Sequence, residues 1–149
     1  MKLPTADDTR ALGRALAEIL RAGDLVVLTG PLGAGKTVLA QGLGAGLGVT
    51  GPVVSPTFVI ARVHRGGRLP LVHVDAYRLG SVVEVDDLDL DASLADSVTV
   101  VEWGGGLVEQ LTDAYLEIRL SREDEGDLRV AEFHPVGGDW AERVTDLRT

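Results

Sequence analysis

Gly30-Pro31-Leu32-Gly33-Ala34-Gly35-Lys36-Thr37 has the spacing G-x-x-x-x-G-K-[ST], and that spacing is a device for gripping phosphate. Glycine permits positive φ, so successive backbone N–H groups can turn inward as an anion nest, and the start of a helix adds its partial positive charge. A lysine at position 36 reaches β- and γ-phosphates with a flexible stem and a compact charge, which a planar guanidinium does not reproduce. Lys2 and Lys36 are the only lysines in the chain and the other twelve basic residues are arginines, so the lysine at this position calls for a reason. The Thr37 hydroxyl is placed to ligate a Mg²⁺ that bridges the β- and γ-phosphates. Leu32, Gly33, Ala34, Gly35, Lys36, Thr37 and the next residue, Val38, are therefore the candidate nucleotide contacts. Average composition produces the motif by chance in roughly one chain of this length in two hundred, before a strand and a helix are demanded on either side.

A phosphate-loop enzyme also needs a carboxylate at the end of a neighbouring strand to hold Mg²⁺, and a group that positions the attacking nucleophile. Two apolar runs end in an acid: Leu71-Val72-His73-Val74-Asp75 and Val98-Thr99-Val100-Val101-Glu102. Either acid suits either task, so Asp75, Glu102 and Lys36 are the candidate catalytic residues. His73, Asp75 and Tyr77 share one face by the period-2 geometry of a strand and could border the site. The bland alternative is that His73 and Tyr77 are packing residues with locally satisfied polar tips.

Elements must position these groups. Leu12, Ala15, Leu16, Ile19 and Leu20 recur at helical spacing after Thr5-Ala6-Asp7-Asp8, an N-cap with acids in the first turn, and Gly23 is expected to end that helix. Leu25 to Leu28 reads as a strand buried on both faces, running directly into the loop. A helix from about Gly35 to Leu47 follows, closed by Gly46 and Gly48. Thr57 to Val63 and Leu69 to Val74 form a hairpin around Arg65-Gly66-Gly67-Arg68, and Tyr115 to Leu120 pairs with Leu128 to Phe133. Val98 to Val101 is a further buried strand, and Trp140 to Leu147 a last short helix. The fold class expected is α/β: a single-domain P-loop NTPase, residues 1–149, with a mixed parallel and antiparallel sheet flanked by helices.

Composition narrows the function. With 149 residues, 45% hydrophobic and 25% charged, the chain has the balance of one globular domain. No apolar run approaches the ~18 residues of a membrane span, and the first residues lack a leader pattern, so a cytoplasmic protein with no membrane association is expected. No cysteine is present, which excludes thiolate chemistry and Cys-ligated metals. The net charge of −9 repels phosphate backbones, so no autonomous nucleic-acid binding is expected. Asp87-Leu88-Asp89-Leu90-Asp91 imitates the start of a calcium loop, but Ala92 stands where the turn glycine belongs, and a solvated acidic face is the better account. Arg62, Arg65 and Arg68 read as a solvated sheet edge rather than a basic patch.

Taken in order, Gly33-Ala34-Gly35-Lys36-Thr37, Ser55-Pro56-Thr57-Phe58, His73-Val74-Asp75-Ala76-Tyr77-Arg78 and Val101-Glu102-Trp103 closely resemble the TsaE (YjeE) family of bacterial ATPases. The resemblance implies an ATPase that works with a TsaD–TsaB complex to place threonylcarbamoyl on the adenosine beside the anticodon of tRNA, without being the transferase. ATP and Mg²⁺ are the implied cofactors, and tRNA is met indirectly, through the partners. Carried onto this chain, it implies Thr37 and Glu102 as metal ligands and Asp75 as the group that orients or activates water. Ser55 and Thr57 would lie on a loop that senses the γ-phosphate, Trp103 beside the site with Tyr77 near it, and Ala6 near the adenine base.

Two rival functions share parts of this pattern. A small-molecule kinase needs the same loop, with a lid drawn from Arg62 to Arg68, but the chain is short for a lid and an acceptor domain. A GTPase switch needs the guanine-reading Asn-Lys-x-Asp motif, which a chain without asparagine lacks.

Overall fold

The computed structural model describes residues 1–30, 35–49, 61–64, 66–75, 96–102, 113–122, 128–145 and 147. These build one seven-stranded sheet from β1 (Lys2–Leu3), β2 (Leu25–Thr29), β3 (Ala61–His64), β4 (Leu71–Asp75), β5 (Val98–Glu102), β6 (Tyr115–Arg122) and β7 (Arg129–Val136) in the order β1-β7-β6-β2-β5-β4-β3. The helices are α1 (Ala6–Ile19), α2 (Lys36–Leu47) and α3 (Trp140–Thr145). β2 lies centrally, parallel to β5 and β6, and β4 continues the parallel half beside β5. The margins turn antiparallel through β3 on β4, β7 on β6 and β1 on β7. The mixed α/β sheet expected from the strand patterns is thus present, and the described parts of both proposed hairpins pair as antiparallel ladders, with residues 57–60 and 65 of the first lying outside the described residues.

α1 starts where its cap demands. The Thr5 hydroxyl accepts from Asp8 N and the Asp8 carboxylate accepts from Thr5 N at 2.9 Å, a reciprocal capping box. Its buried face is Thr9, Leu12, Gly13, Leu16 and Ala17, while Ala15 is exposed. Leu20, extended, caps the end, so Gly23 does not terminate the helix; at φ 94° it shapes the turn into β2 and donates to Ser97 O. The last turn of α1 carries no basic residue. Its open carbonyls accept instead from distant arginines: Arg68 donates to Ala17 O (2.6 Å) and Leu20 O (3.1 Å), and Arg143 to Ile19 O (2.9 Å). Arg68 of the β3–β4 connection is therefore a helix cap.

α2 ends at Gly48, whose φ of 79° is the left-handed cap conformation, whereas Gly46 lies inside the helix. A Cβ at Gly46 would strike the Ala17 side chain, at Gly42 the Arg10 backbone, and at Gly13 the Leu39 and Leu43 backbone. Part of the glycine excess thus lets α1 and α2 cross with their backbones nearly touching. Together they cover one face of the sheet, where Val26, Leu28, Leu71, Val98, Val100, Leu116 and Ile118 join Leu16, Leu39 and Leu43 in the core.

Two features were not anticipated. β1 is only Lys2–Leu3 and completes the sheet margin against β7. α3 is tied down by Arg143, which pairs with Asp24 in a largely buried ion pair and stacks 3.9 Å over the Trp140 ring.

Candidate functional site

The parallel register brings three strand ends together. Leu28 lies beside Glu102, and Glu102 beside Asp75, so the carboxyl ends of β2, β5 and β4 form one edge of the sheet. β2 reaches Gly30 at that edge, and α2 begins at Lys36. Side chains alternate faces along a strand, so Val26 and Leu28, Val98 and Val100, and Leu71 lie on the α1–α2 face. The next residues on that same face are Gly30, Glu102 and His73. Core packing therefore gives way to ionisable and backbone groups within one step along each strand. Open α/β sheets bind ligands at such an edge, beyond the carboxyl ends of their strands.

Gly35 caps α2 in the left-handed region, with φ 101° and ψ 15°, and among the described residues no side chain caps the helix start. The orphan N–H groups of the first turn are thus left to another acceptor. Lys36 is buried, with 6% of its surface exposed, and its Nζ donates to the Gly30 carbonyl at 2.7 Å. The ammonium is thereby folded back to the end of β2. Thr37 and Val38, half-buried, continue the first turn of α2. The start of α1 is close by: the Thr9 methyl would be 3.7 Å from a Cβ at Gly35. Ala6 begins that same turn, so the N-terminal stretch named for the base is part of the same neighbourhood.

Glu102 is a buried carboxylate, its side chain 5% exposed, with His73 Nε2 at 3.2 Å from its Oε2. His73 is wholly buried. The backbone of Asp75 stands beside that of Glu102 in the ladder. Among the described residues no group of three or more His, Asp and Glu side chains forms a metal cage. A hydroxyl on Thr37 and a single carboxylate on Glu102 are hard oxygen donors. That set suits Mg²⁺, which is ordinarily held by one or two protein oxygens with phosphate and water completing its shell.

Leu32, Gly33, Ala34, Ser55, Thr57, Tyr77 and Trp103 lie outside the described residues, as does the acidic run Asp87 to Asp91. Sequence reasoning passed over the closeness of His73 to Glu102. The signal available was a histidine flanked by Leu71, Val72 and Val74 in a strand otherwise wholly apolar up to its terminal acid. Arg68, proposed as edge or lid material, is occupied with the α1 carbonyls.

Residues 3–130 match the family model described as threonylcarbamoyl adenosine biosynthesis protein TsaE. A curated relative from Streptomyces coelicolor, named tRNA threonylcarbamoyladenosine biosynthesis protein TsaE, is 59% identical over 138 residues, covering 89% of this chain and 93% of its own length. The Bacillus subtilis protein of the same name is 39% identical over 132 residues, covering 88% and 82%. The crystal structure of Bacillus subtilis YdiB superposes with a TM-score of 0.82 at 31% identity, across 99% of this chain and 92% of that one. The phosphate-loop spacing, the fold and these similarities agree that the chain belongs to the TsaE family, whose members are named for tRNA threonylcarbamoyladenosine biosynthesis.

Proposed function

We propose that this protein is a P-loop ATPase that binds and hydrolyses Mg-ATP in support of a TsaD–TsaB complex forming threonylcarbamoyladenosine beside the tRNA anticodon. It is not itself the transferase. The observation that carries the reading is the placement of a buried carboxylate, Glu102, in register beside the β2 end from which the G-x-x-x-x-G-K-T loop departs. That is where a phosphate-loop enzyme needs its metal-side acid.

The residues divide the work as follows. Backbone N–H groups from Gly33 to Thr37 and the α2 N-terminus cradle the phosphates. Lys36 exchanges the Gly30 carbonyl for β- and γ-phosphate oxygens, charge-assisted contacts that strengthen as negative charge gathers on the leaving side. Thr37 and Glu102 would hold Mg²⁺, which would supply neutralisation of the phosphate charge. Asp75 orients water for attack on the γ-phosphorus; the bond to the bridging oxygen breaks, and ADP and phosphate leave. Ala6 borders the base, Ser55 and Thr57 sense the γ-phosphate, and Trp103 and Tyr77 line the site. The acidic chain, at −9, meets tRNA through its partners and works in the cytoplasm. Among the described residues no helix is long and apolar enough to cross a membrane.

The test is ATP hydrolysis by the purified protein, alone and with a TsaD–TsaB complex from the same source. Stimulation by the complex is expected. Lys36→Ala is expected to lose about 10²–10³-fold in rate, as for removal of one preorganised donor. Asp75→Ala lowers rate more than nucleotide affinity, and Glu102→Ala lowers Mg²⁺-dependent binding first. Hydrolysis indifferent to the complex, or phosphate appearing on a small acceptor, overturns the reading in favour of a kinase.

A further inference from the structure

We infer that His73 is a positioning residue that holds the Glu102 carboxylate in its ligating orientation, a role that rests on the Mg-ATP reading above. The imidazole is wholly buried, and neither ring nitrogen makes a hydrogen bond among the described residues. A buried polar group left in that condition is costly, and Leu71, Val72 and Val74 show that β4 here accommodates apolar side chains. Packing alone thus gives no reason for histidine at position 73.

A close polar neighbour among the described residues supplies the reason. Nε2 stands 3.2 Å from Glu102 Oε2, within hydrogen-bond distance but out of line. In register His73 pairs with Val100, and Glu102 is the next residue of β5 on that face, so the two side chains meet diagonally across one ladder step. Catalytic hydrogen bonds are commonly long or poorly aligned before the ligand arrives. A modest turn of the carboxylate aligns Nε2–H with Oε2. One carboxylate oxygen is then tethered by the ring and the other is free for the cation. Partners of this kind, behind a metal's own ligands, set the ligand's orientation and typically govern metal affinity by 10–100-fold.

The proposal is tested with His73→Phe, which keeps bulk and removes the donor, and His73→Gln, whose amide N–H₂ sits near the place of Nε2. A fluorescent ADP analogue is titrated with and without Mg²⁺, and thermal unfolding is followed in parallel. For wild type, Mg²⁺ tightens binding. His73→Phe is expected to reduce that Mg²⁺-dependent gain about tenfold, leave metal-free affinity within about twofold, and be largely rescued by His73→Gln. In a Glu102→Gln background, His73→Phe is expected to have no further effect on the Mg²⁺ response. A retained Mg²⁺ gain in His73→Phe overturns the inference. So does equal loss of metal-free and metal-dependent affinity in both variants, or an undiminished His73→Phe effect without Glu102. If wild type itself binds no nucleotide, or Lys36→Ala binds it normally, the functional reading fails instead.

Discussion

Gly42→Ala tests whether the backbone contact between α1 and α2 is as close as the structure shows. A Cβ at Gly42 would lie 2.8 Å from both the carbonyl carbon and the Cα of Arg10, and would overlap its carbonyl oxygen. Carbon atoms rest about 3.5–4.0 Å apart, so the helices must separate by roughly 1 Å. The obstacle is backbone, which cannot rotate away. On a free helix surface the same change gains about 1 kcal/mol from helix propensity. Overpacking costs about 1–3 kcal/mol, and a 1 Å gap forfeits about a quarter to a half of the dispersion at the flanking Leu12, Leu16, Leu39 and Leu43 contacts. The net expectation is a loss of about 1–2 kcal/mol, read as a lower urea midpoint at unchanged m-value. In a thermal melt it corresponds to about 2–4 °C per kcal/mol. Gly13→Ala opens the same crossing from the other side, so the double variant loses less than the sum of the singles. A rise of about 1 kcal/mol in Gly42→Ala, or strict additivity of the two losses, refutes the close crossing.

Arg143→Met removes the partner of the largely buried Asp24 carboxylate, a donor to Ile19 O and the stacking on Trp140; chemical denaturation should show a loss of about 3 kcal/mol, in the range for one side of a buried pair. Burial raises the Asp24 pKa, and the bonds from Arg21 N and Arg143 only partly oppose it. Just above the ordinary carboxylate range the folded state therefore keeps a proton that the unfolded chain releases. Asp24 stabilises the fold most below that window and less as pH rises through it. The slope of unfolding free energy against pH is then more negative there in wild type than in Asp24→Asn; a more positive slope means that Arg143 outweighs burial. Arg68→Gln removes the bonds to Ala17 O and Leu20 O and is expected to cost about 1–2 kcal/mol, with ATP hydrolysis unchanged at a temperature well below the melt. A specific loss of turnover at intact stability would place Arg68 at the nucleotide after all.

What was legible in the sequence follows from the range of the forces involved. The capping box of Thr5 and Asp8, the loop from Gly30 to Thr37 and the apolar strands ending at Asp75 and Glu102 are local or periodic, and the structure places the described parts of each where those patterns point. Gly23 and Gly46 misled because a glycine reads as a helix stop by itself, whereas its use depends on what passes near it: at Gly46, the Ala17 side chain of another helix. Arg68 and Arg143 were illegible for the same reason. Each caps a helix many residues away, and only tertiary packing decides which carbonyl an arginine meets. β1 escaped notice because two residues carry no periodicity.

The register explains why the site requires the core rather than merely sitting on it. On the α1–α2 face, Val26 and Leu28 precede Gly30, Val98 and Val100 precede Glu102, and Leu71 precedes His73. Side chains alternate with a strict period of two, so a slip of one residue in β5 would turn Glu102 to the opposite face while burying Thr99 or Val101 under the helices. The register that seats Val98 and Val100 under the helices is therefore also what aims the carboxylate. Burial has a second consequence, because removing water around Glu102 strengthens any interaction with a cation or with His73. The same desolvation makes an unpartnered carboxylate costly. A chain that buries Glu102 in this way is under pressure to supply it with compensation, and a wholly buried histidine at 3.2 Å is the residue placed to give it.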